Sequence, residues 1–202
     1  MIKTILFDLG KTLIPFDFTR GYSGMEALCG VDAAEIRARL GTTDLVERFE
    51  SGFVEPDEFV RELSAIIGAE VDYAGFCRAW SSIFLPDPLV PEAMLEALHR
   101  NYRLLLLSNT NAIHFAMLVE TYPLLRHFDD FVLSYKVKAM KPDPAIYREA
   151  IALAGCRAEE CFYTDDVAAY VEAARSEGMQ AAQFQSLEQL ECEMRARGIR
   201  WT

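Results

Sequence analysis

Two short apolar runs, Ile2 to Phe7 and Cys161 to Thr164, each end on acid: Asp8 closes the first and the pair Asp165-Asp166 closes the second. Runs this short and this apolar read as strands buried on both faces, the kind that a parallel sheet places beneath helices. An ionised carboxylate at the end of such a strand is costly unless it meets a cation or a reacting group. Ligands of open α/β sheets bind outside the carboxyl ends of the strands, so acids more than 150 residues apart in the chain are expected on one edge.

From Arg103 onward, apolar strands at 103–108, 130–134, 161–165 and 179–184 alternate with amphipathic helices at 111–120, 144–154, 167–177 and 187–197. That alternation predicts a parallel sheet with crossovers. Asn111, Asp143 before Pro144, and Ser186 followed by Gln189 supply helix starts. Between Phe16 and Leu85 the pattern is only helical: Asp32 and Glu35 form a capping box, Pro56 opens a helix, and Phe76, Trp80 and Ile83 share an apolar face. Pro86-Asp87-Pro88 and Pro91 then break the chain. Residues 16–85 therefore read as a helical cap inserted after the first strand, and 1–15 with 86–202 as the α/β core.

A chain of 202 residues, 51% hydrophobic and 25% charged, suits one domain with an insertion. Its net charge of -11 argues against nucleic acid or an anionic membrane as partner, since both demand a basic face. A phosphate-bearing ligand needs a local positive spot instead. No apolar run approaches the roughly 20 residues that span a bilayer, and Met1-Ile2-Lys3 runs straight into the Asp8 strand rather than into a cleavable signal, so the expected location is cytoplasmic. Five cysteines without C-x-x-C spacing predict reduced thiols rather than disulfides or zinc.

Asp8 is placed to attack phosphorus or an sp³ carbon and form a covalent intermediate that water hydrolyses; an Asp there also serves as a turn former or helix cap. In Ser108-Asn109-Thr110-Asn111 a hydroxyl, an amide and free backbone N–H groups meet at a helix start, which makes an anion site or simply an N-cap cluster. Lys141, held by Pro142 and Pro144, can neutralise a phosphate oxygen, although most lysines are solvated surface charges. Asp165 beside Asp166 puts two like charges together, for which Mg²⁺ is the economical partner; the alternative is one exposed acid and one cap.

Taken in order, Asp8-Leu9-Gly10-Lys11-Thr12, Ser108-Asn109, Lys141-Pro142 and Asp165-Asp166 resemble the four motifs of the haloacid dehalogenase superfamily. Phe7-Asp8-Leu9-Gly10, Asp17-Phe18-Thr19-Arg20, Leu107-Ser108-Asn109-Thr110-Asn111 with His114, and the acid doublet look closer still to bacterial α-D-glucose-1-phosphate phosphatases. The resemblance implies an α/β fold with a Rossmann-like parallel sheet core and an inserted helical cap domain. It implies Asp8 as nucleophile, the Gly10 carbonyl and Asp166 as Mg²⁺ ligands beside Asp8, with Asp165 in or near the ligand shell, and Ser108, Asn109 and Lys141 holding phosphate. The partner would be a small phosphorylated substrate, and the protein a monomer or homodimer. Arg20 and His114 are substrate contacts on this reading, or else an exposed arginine and a satisfied helix histidine.

Three departures from the family pattern stand out. Gly10 stands where most phosphatases of the superfamily have an acid/base Asp, whose contribution is roughly 10²–10⁴ in rate. Lys138 replaces a small residue, and Ala169-Tyr170 an Asp or Asn. The leading expectation is a Mg²⁺-dependent phosphatase working through an aspartyl-phosphate, possible without an acid because positioning and charge neutralisation dominate phosphoryl transfer. A 2-haloacid dehalogenase and a non-catalytic phosphosugar-binding module are the alternatives.

Overall fold

The computed structural model describes residues 1–201. Strand β1 (Thr4–Phe7) is buried along its length and lies at the centre of a five-stranded, wholly parallel sheet. Five helices follow it: α1 (Phe18–Cys29), α2 (Ala33–Leu40), α3 (Leu45–Glu50), α4 (Pro56–Ile67) and α5 (Tyr73–Ser81). Helix α6 (Glu92–His99) then leads to β2 (Arg103–Ser108), α7 (Ala112–Thr121), β3 (Asp130–Leu133), α8 (Ser134–Val137) and α9 (Pro144–Ala154). The chain ends with β4 (Cys161–Asp165), α10 (Ala168–Ser176), β5 (Gln180–Gln183) and α11 (Leu187–Ala196). The strand order β3-β2-β1-β4-β5 puts the topological switch at β1, flanked by β2 and β4.

Alternate strand residues feed two cores. Ile5, Phe7, Leu104, Leu106 and Phe162 face one side with α6, α7 and α11, while Leu6, Leu105, Leu107 and Tyr163 face the other with α9 and α10. The helices of 18–81 bury a third cluster, in which Phe49, Phe59, Phe76 and Trp80 stack or tilt against one another at 4.2–5.6 Å. The two chain segments that join it to the sheet run side by side: Asp17 N–H donates to the Ile83 carbonyl (2.9 Å) and Leu85 N–H to that of Pro15 (2.9 Å).

The parallel α/β pattern expected from the sequence is present, with three local differences. Helix α6 was not foreseen, because its eight residues sit behind a run of prolines that reads as a break. Ser134, expected in a strand, opens α8. The capping box at Asp32 is half formed: its carboxylate accepts from Ala34 and Glu35 N–H, but the Glu35 side chain turns to Arg39 instead of returning to the cap. Among the described residues, no helix is long and apolar enough to cross a membrane.

Candidate active site

Register brings the acids together. Phe7 pairs with Leu106 on one side and Thr164 on the other, so the next residue, Asp8, is level with Leu107 and Asp165. Its N–H donates to the Thr164 carbonyl at 2.9 Å. Carboxylate oxygens of Asp8, Asp165 and Asp166 lie within 4.8 Å of one another at this edge.

Lys141 arrives from the loop before α9 and is almost completely buried. Its ammonium donates to Asp8 Oδ1 (2.6 Å) and Asp165 Oδ2 (2.7 Å), and its third N–H lies within reach of both the Leu107 carbonyl (3.1 Å) and the Tyr163 hydroxyl (3.1 Å). Burial works against its charge, but Asp8 and Asp165 outweigh that and hold it above the ordinary lysine value. Burial pushes the Asp8 carboxyl up to about 7, with Lys141 pulling down and Asp165 pushing further up. Asp166 is also raised, by burial and by Asp165. Three acids thus crowd around the buried Lys141 ammonium, with Lys11 also acting on Asp166, and a divalent cation would relieve the repulsion between them.

The donor set fits Mg²⁺, with the acids in different states. Both Asp165 oxygens are spent inside the protein: Oδ2 accepts from Lys141 and Tyr163, and Oδ1 from Val167 N–H at 2.8 Å. The Asp166 carboxylate has no protein partner among the described residues and is only partly buried. The Gly10 carbonyl likewise accepts no backbone hydrogen bond in its turn, where Lys11 donates to Ile14 instead.

Asn109 does not point its amide at an anion. Its Oδ1 accepts from Lys141 N–H (2.8 Å) and its Nδ2 donates to the Lys141 carbonyl (3.0 Å), a two-point grip on the lysine loop. Ser108 ends β2, buried beside Leu107, with one long contact to the Asn109 carbonyl (3.4 Å). His114 is satisfied within the fold: Asn111 Nδ2 stands 3.1 Å from Nδ1 and the Trp80 carbonyl 3.1 Å from Nε2, which suits the neutral ring with its proton on Nε2. Burial holds that ring down at about 4. Arg20 is exposed and donates to the Ser82 carbonyl at 2.9 Å.

The departures from the family pattern now have physical counterparts. A Cβ on Gly10 would lie 2.6 Å from Cε1 of Phe16, so an aromatic ring fills the space of the missing acid. Tyr170 sets its ring 5.1 Å from the Lys141 ammonium. Lys138 takes the left-handed φ of 60° that caps α8, a conformation that explains why a small residue is usual there. Sequence reading gave Tyr163 and Phe16 no role and marked Tyr170 only as a departure from the pattern. Only Tyr163 left a signal: two places before Asp165 on a strand, it shares that side chain's face.

The family model described as haloacid dehalogenase-like hydrolase matches residues 2–178. The chain belongs to that family. The hydrolase is 26% identical over 189 residues to a D-ribitol-5-phosphate phosphatase of Bacteroides thetaiotaomicron, covering 91% of this chain and 92% of the relative. It is 28% identical over 193 residues to a phosphatase of Mycobacterium tuberculosis, covering 89% and 86%. A family enzyme of Bacteroides thetaiotaomicron, solved in complex with magnesium and inorganic phosphate, superposes with a TM-score of 0.83 at 27% identity, over 93% of this chain and 96% of that one.

Proposed function

We propose that the hydrolase removes phosphate from a small phosphorylated metabolite, a sugar phosphate such as glucose 1-phosphate being one example, through an aspartyl-phosphate on Asp8. It is a phosphoric monoester hydrolase using Mg²⁺, in keeping with relatives named as phosphatases and a magnesium-bound neighbour. The observation that carries the mechanism is the buried ion cluster at the edge of β1, where one ammonium holds Asp8 in place beside two further acids. Asp8, the Gly10 carbonyl and Asp166 would hold the metal, with Asp165 behind them fixing Lys141. When bound, Mg²⁺ offsets the repulsion between the carboxylates and the phosphate and draws charge from the transferring group.

Each residue then has a task. An Asp8 oxygen attacks phosphorus as the ester oxygen leaves, and water later cleaves the acyl phosphate. Lys141 offsets the charge of the phosphate oxygens and the Ser108 hydroxyl donates to one of them, while Asn109 keeps the Lys141 backbone fixed so that its ammonium stays aimed. Gly10 offers no proton to the departing oxygen. Helices 16–85 act as a cap over the core of 1–15 and 86–202, supplying the walls around the rest of the substrate. A dehalogenase is disfavoured because its chemistry needs no metal, and without one the paired acids beside Asp8 repel an anionic haloacid.

Asp8→Asn tests this directly. The amide keeps the shape but is a poor nucleophile, so Mg²⁺-dependent phosphate release from a panel of phosphorylated metabolites should fall by at least about a thousandfold while the melting profile survives. Near wild-type turnover would overturn the aspartyl-phosphate route.

A further inference from the structure

A cavity of about 320 Å³ opens among α1, α2, α3, α5 and the start of α7, with Phe18, Tyr22, Arg37, Glu50, Trp80 and His114 in its walls. Aromatic contacts run from it to the Gly10 turn. The Phe16 ring that covers Gly10 lies 4.8 Å from Phe18 and 6.2 Å from Phe84, and Phe84 meets His114 edge-on at 5.1 Å. Phe18 and His114 are both wall residues, so the cavity and the Gly10 turn border the same cluster of rings. The part of a substrate beyond its phosphate has that space to enter.

Its walls carry two charged groups that the fold leaves unused. Glu50 engages the protein through its carbonyl, which accepts from Ser134 Oγ at 2.6 Å, while its carboxyl meets no partner among the described residues. Arg37 likewise uses its carbonyl, accepting from Gly41 N–H, and its guanidinium pairs with no acid among those residues, Glu50 included. Burial pushes the Glu50 carboxyl up to about 7. A desolvated, unpaired carboxyl is a cost to folding that no internal contact offsets. The His114 ring is already paired at both nitrogens, so it shapes the wall without adding a polar contact.

We propose that this cavity receives the alcohol part of the phosphate ester, and that Glu50 and Arg37 select a hydroxyl-rich alcohol, a sugar or polyol, by taking its hydroxyls between them. The proposal rests on the phosphatase reading above. A hydroxyl accepts from the guanidinium and donates to the carboxylate at once, while the C–H faces of the same molecule lie against Trp80 and Tyr22. A second anion would meet Arg37 only to be repelled by Glu50. An apolar alcohol would seal the Glu50 carboxyl away from water unpaired, the situation in which sites reject an analogue that lacks its hydroxyls.

The test compares esters of equal carbon number: a pentitol 5-phosphate against pentyl phosphate, and a hexose 1-phosphate against hexyl phosphate, with Mg²⁺. Wild-type kcat/KM should favour at least one hydroxylated member by about 100-fold or more. Glu50→Leu should cut that ratio at least tenfold, and Glu50→Gln should cut it less, because an amide still accepts. Arg37→Met, at an exposed position, carries the same comparison should Glu50→Leu fail to fold. Calorimetric binding of the hydroxylated esters to the Asp8→Asn protein, with and without Glu50→Leu, separates the two readings. Binding that depends on Glu50 without turnover in the wild type would sink the phosphatase reading and keep the cavity. Phosphate release with ratios near one in both pairs, or a ratio and an affinity indifferent to Glu50 and Arg37, would overturn the proposal while the phosphatase reading stands.

Discussion

Gly10 and Phe16 have to be considered together. Because the Phe16 ring stands where a Cβ on Gly10 would project, and is itself wedged against Phe18 and Phe84, Gly10→Ala should overpack the turn and cost about 1–3 kcal/mol in urea unfolding. Phe16→Leu in the same chain should recover most of that loss. Asp165 and Asp166 should separate just as clearly. Asp166→Asn is expected to weaken Mg²⁺ binding more, in calorimetric titration, than Asp165→Asn does, whereas Asp165→Asn is expected to lower the melting temperature more, since its oxygens hold Lys141, Tyr163 and Val167. Equal Mg²⁺ losses would mean that both acids touch the ion. The acids were readable from the chain because a charge beside an apolar strand is conspicuous, and Lys141 because two prolines fix it just before a helix. The grip of Asn109 was not, since an amide that holds a loop and one that holds an anion look alike in sequence.

At the scale of elements, Ser134 joins three of them. The hydroxyl at the start of α8 donates to the Glu50 carbonyl at the end of α3 (2.6 Å), lies 2.9 Å from the Thr110 carbonyl and accepts from Thr110 N–H (3.0 Å) in the loop before α7. Nearby Gly52, at φ 71°, leaves room for the Tyr135 carbonyl, which any side chain there would strike. Ser134→Ala should leave Thr110 N–H and the Glu50 carbonyl buried and unpaired, lowering stability by about 1–3 kcal/mol in denaturant melts. Ser134→Thr is the bulkier control that keeps the hydroxyl. Strand and helix positions from Arg103 onward were legible because each alternates with the next and most are capped. Helix α6 was not, although Met94, Leu95 and Leu98 form one buried face, because Pro91 serves as its cap where prolines read as a break.

For the molecule as a whole, Glu50 and His114 make opposite demands on pH. Glu50 is raised from 4.5 to about 7, so the native state binds more protons than the unfolded chain in that range, and this contribution to stability is lost as pH rises from 4.5 to 7. His114 is lowered from 6.5 to about 4, so its contribution is lost as pH falls from 6.5 to 4. Between pH 4.5 and 6.5 the two slopes cancel. Melts of Glu50→Gln should therefore gain stability with rising pH across that window relative to wild type, and His114→Asn should lose it, each by up to about 3 kcal/mol. Parallel curves for all three proteins would show that these groups do not titrate as their surroundings require. The two kinds of pattern, alternating and purely helical, were visible in the chain because the period changes near Phe16 and again past Leu85, and α1 to α5 fall between those points. The way the parts meet was not, since it depends on contacts such as Phe84 with His114 that join distant residues. The hydrogen bonds of Asp17 to Ile83 and of Leu85 to Pro15 bring the two connecting segments together like the ends of a loop of thread. A unit whose ends already meet can be lifted out and replaced by another of different length without rethreading the sheet. That geometry lets the helical stretch be exchanged as one contiguous piece of gene while the sheet keeps its own threading.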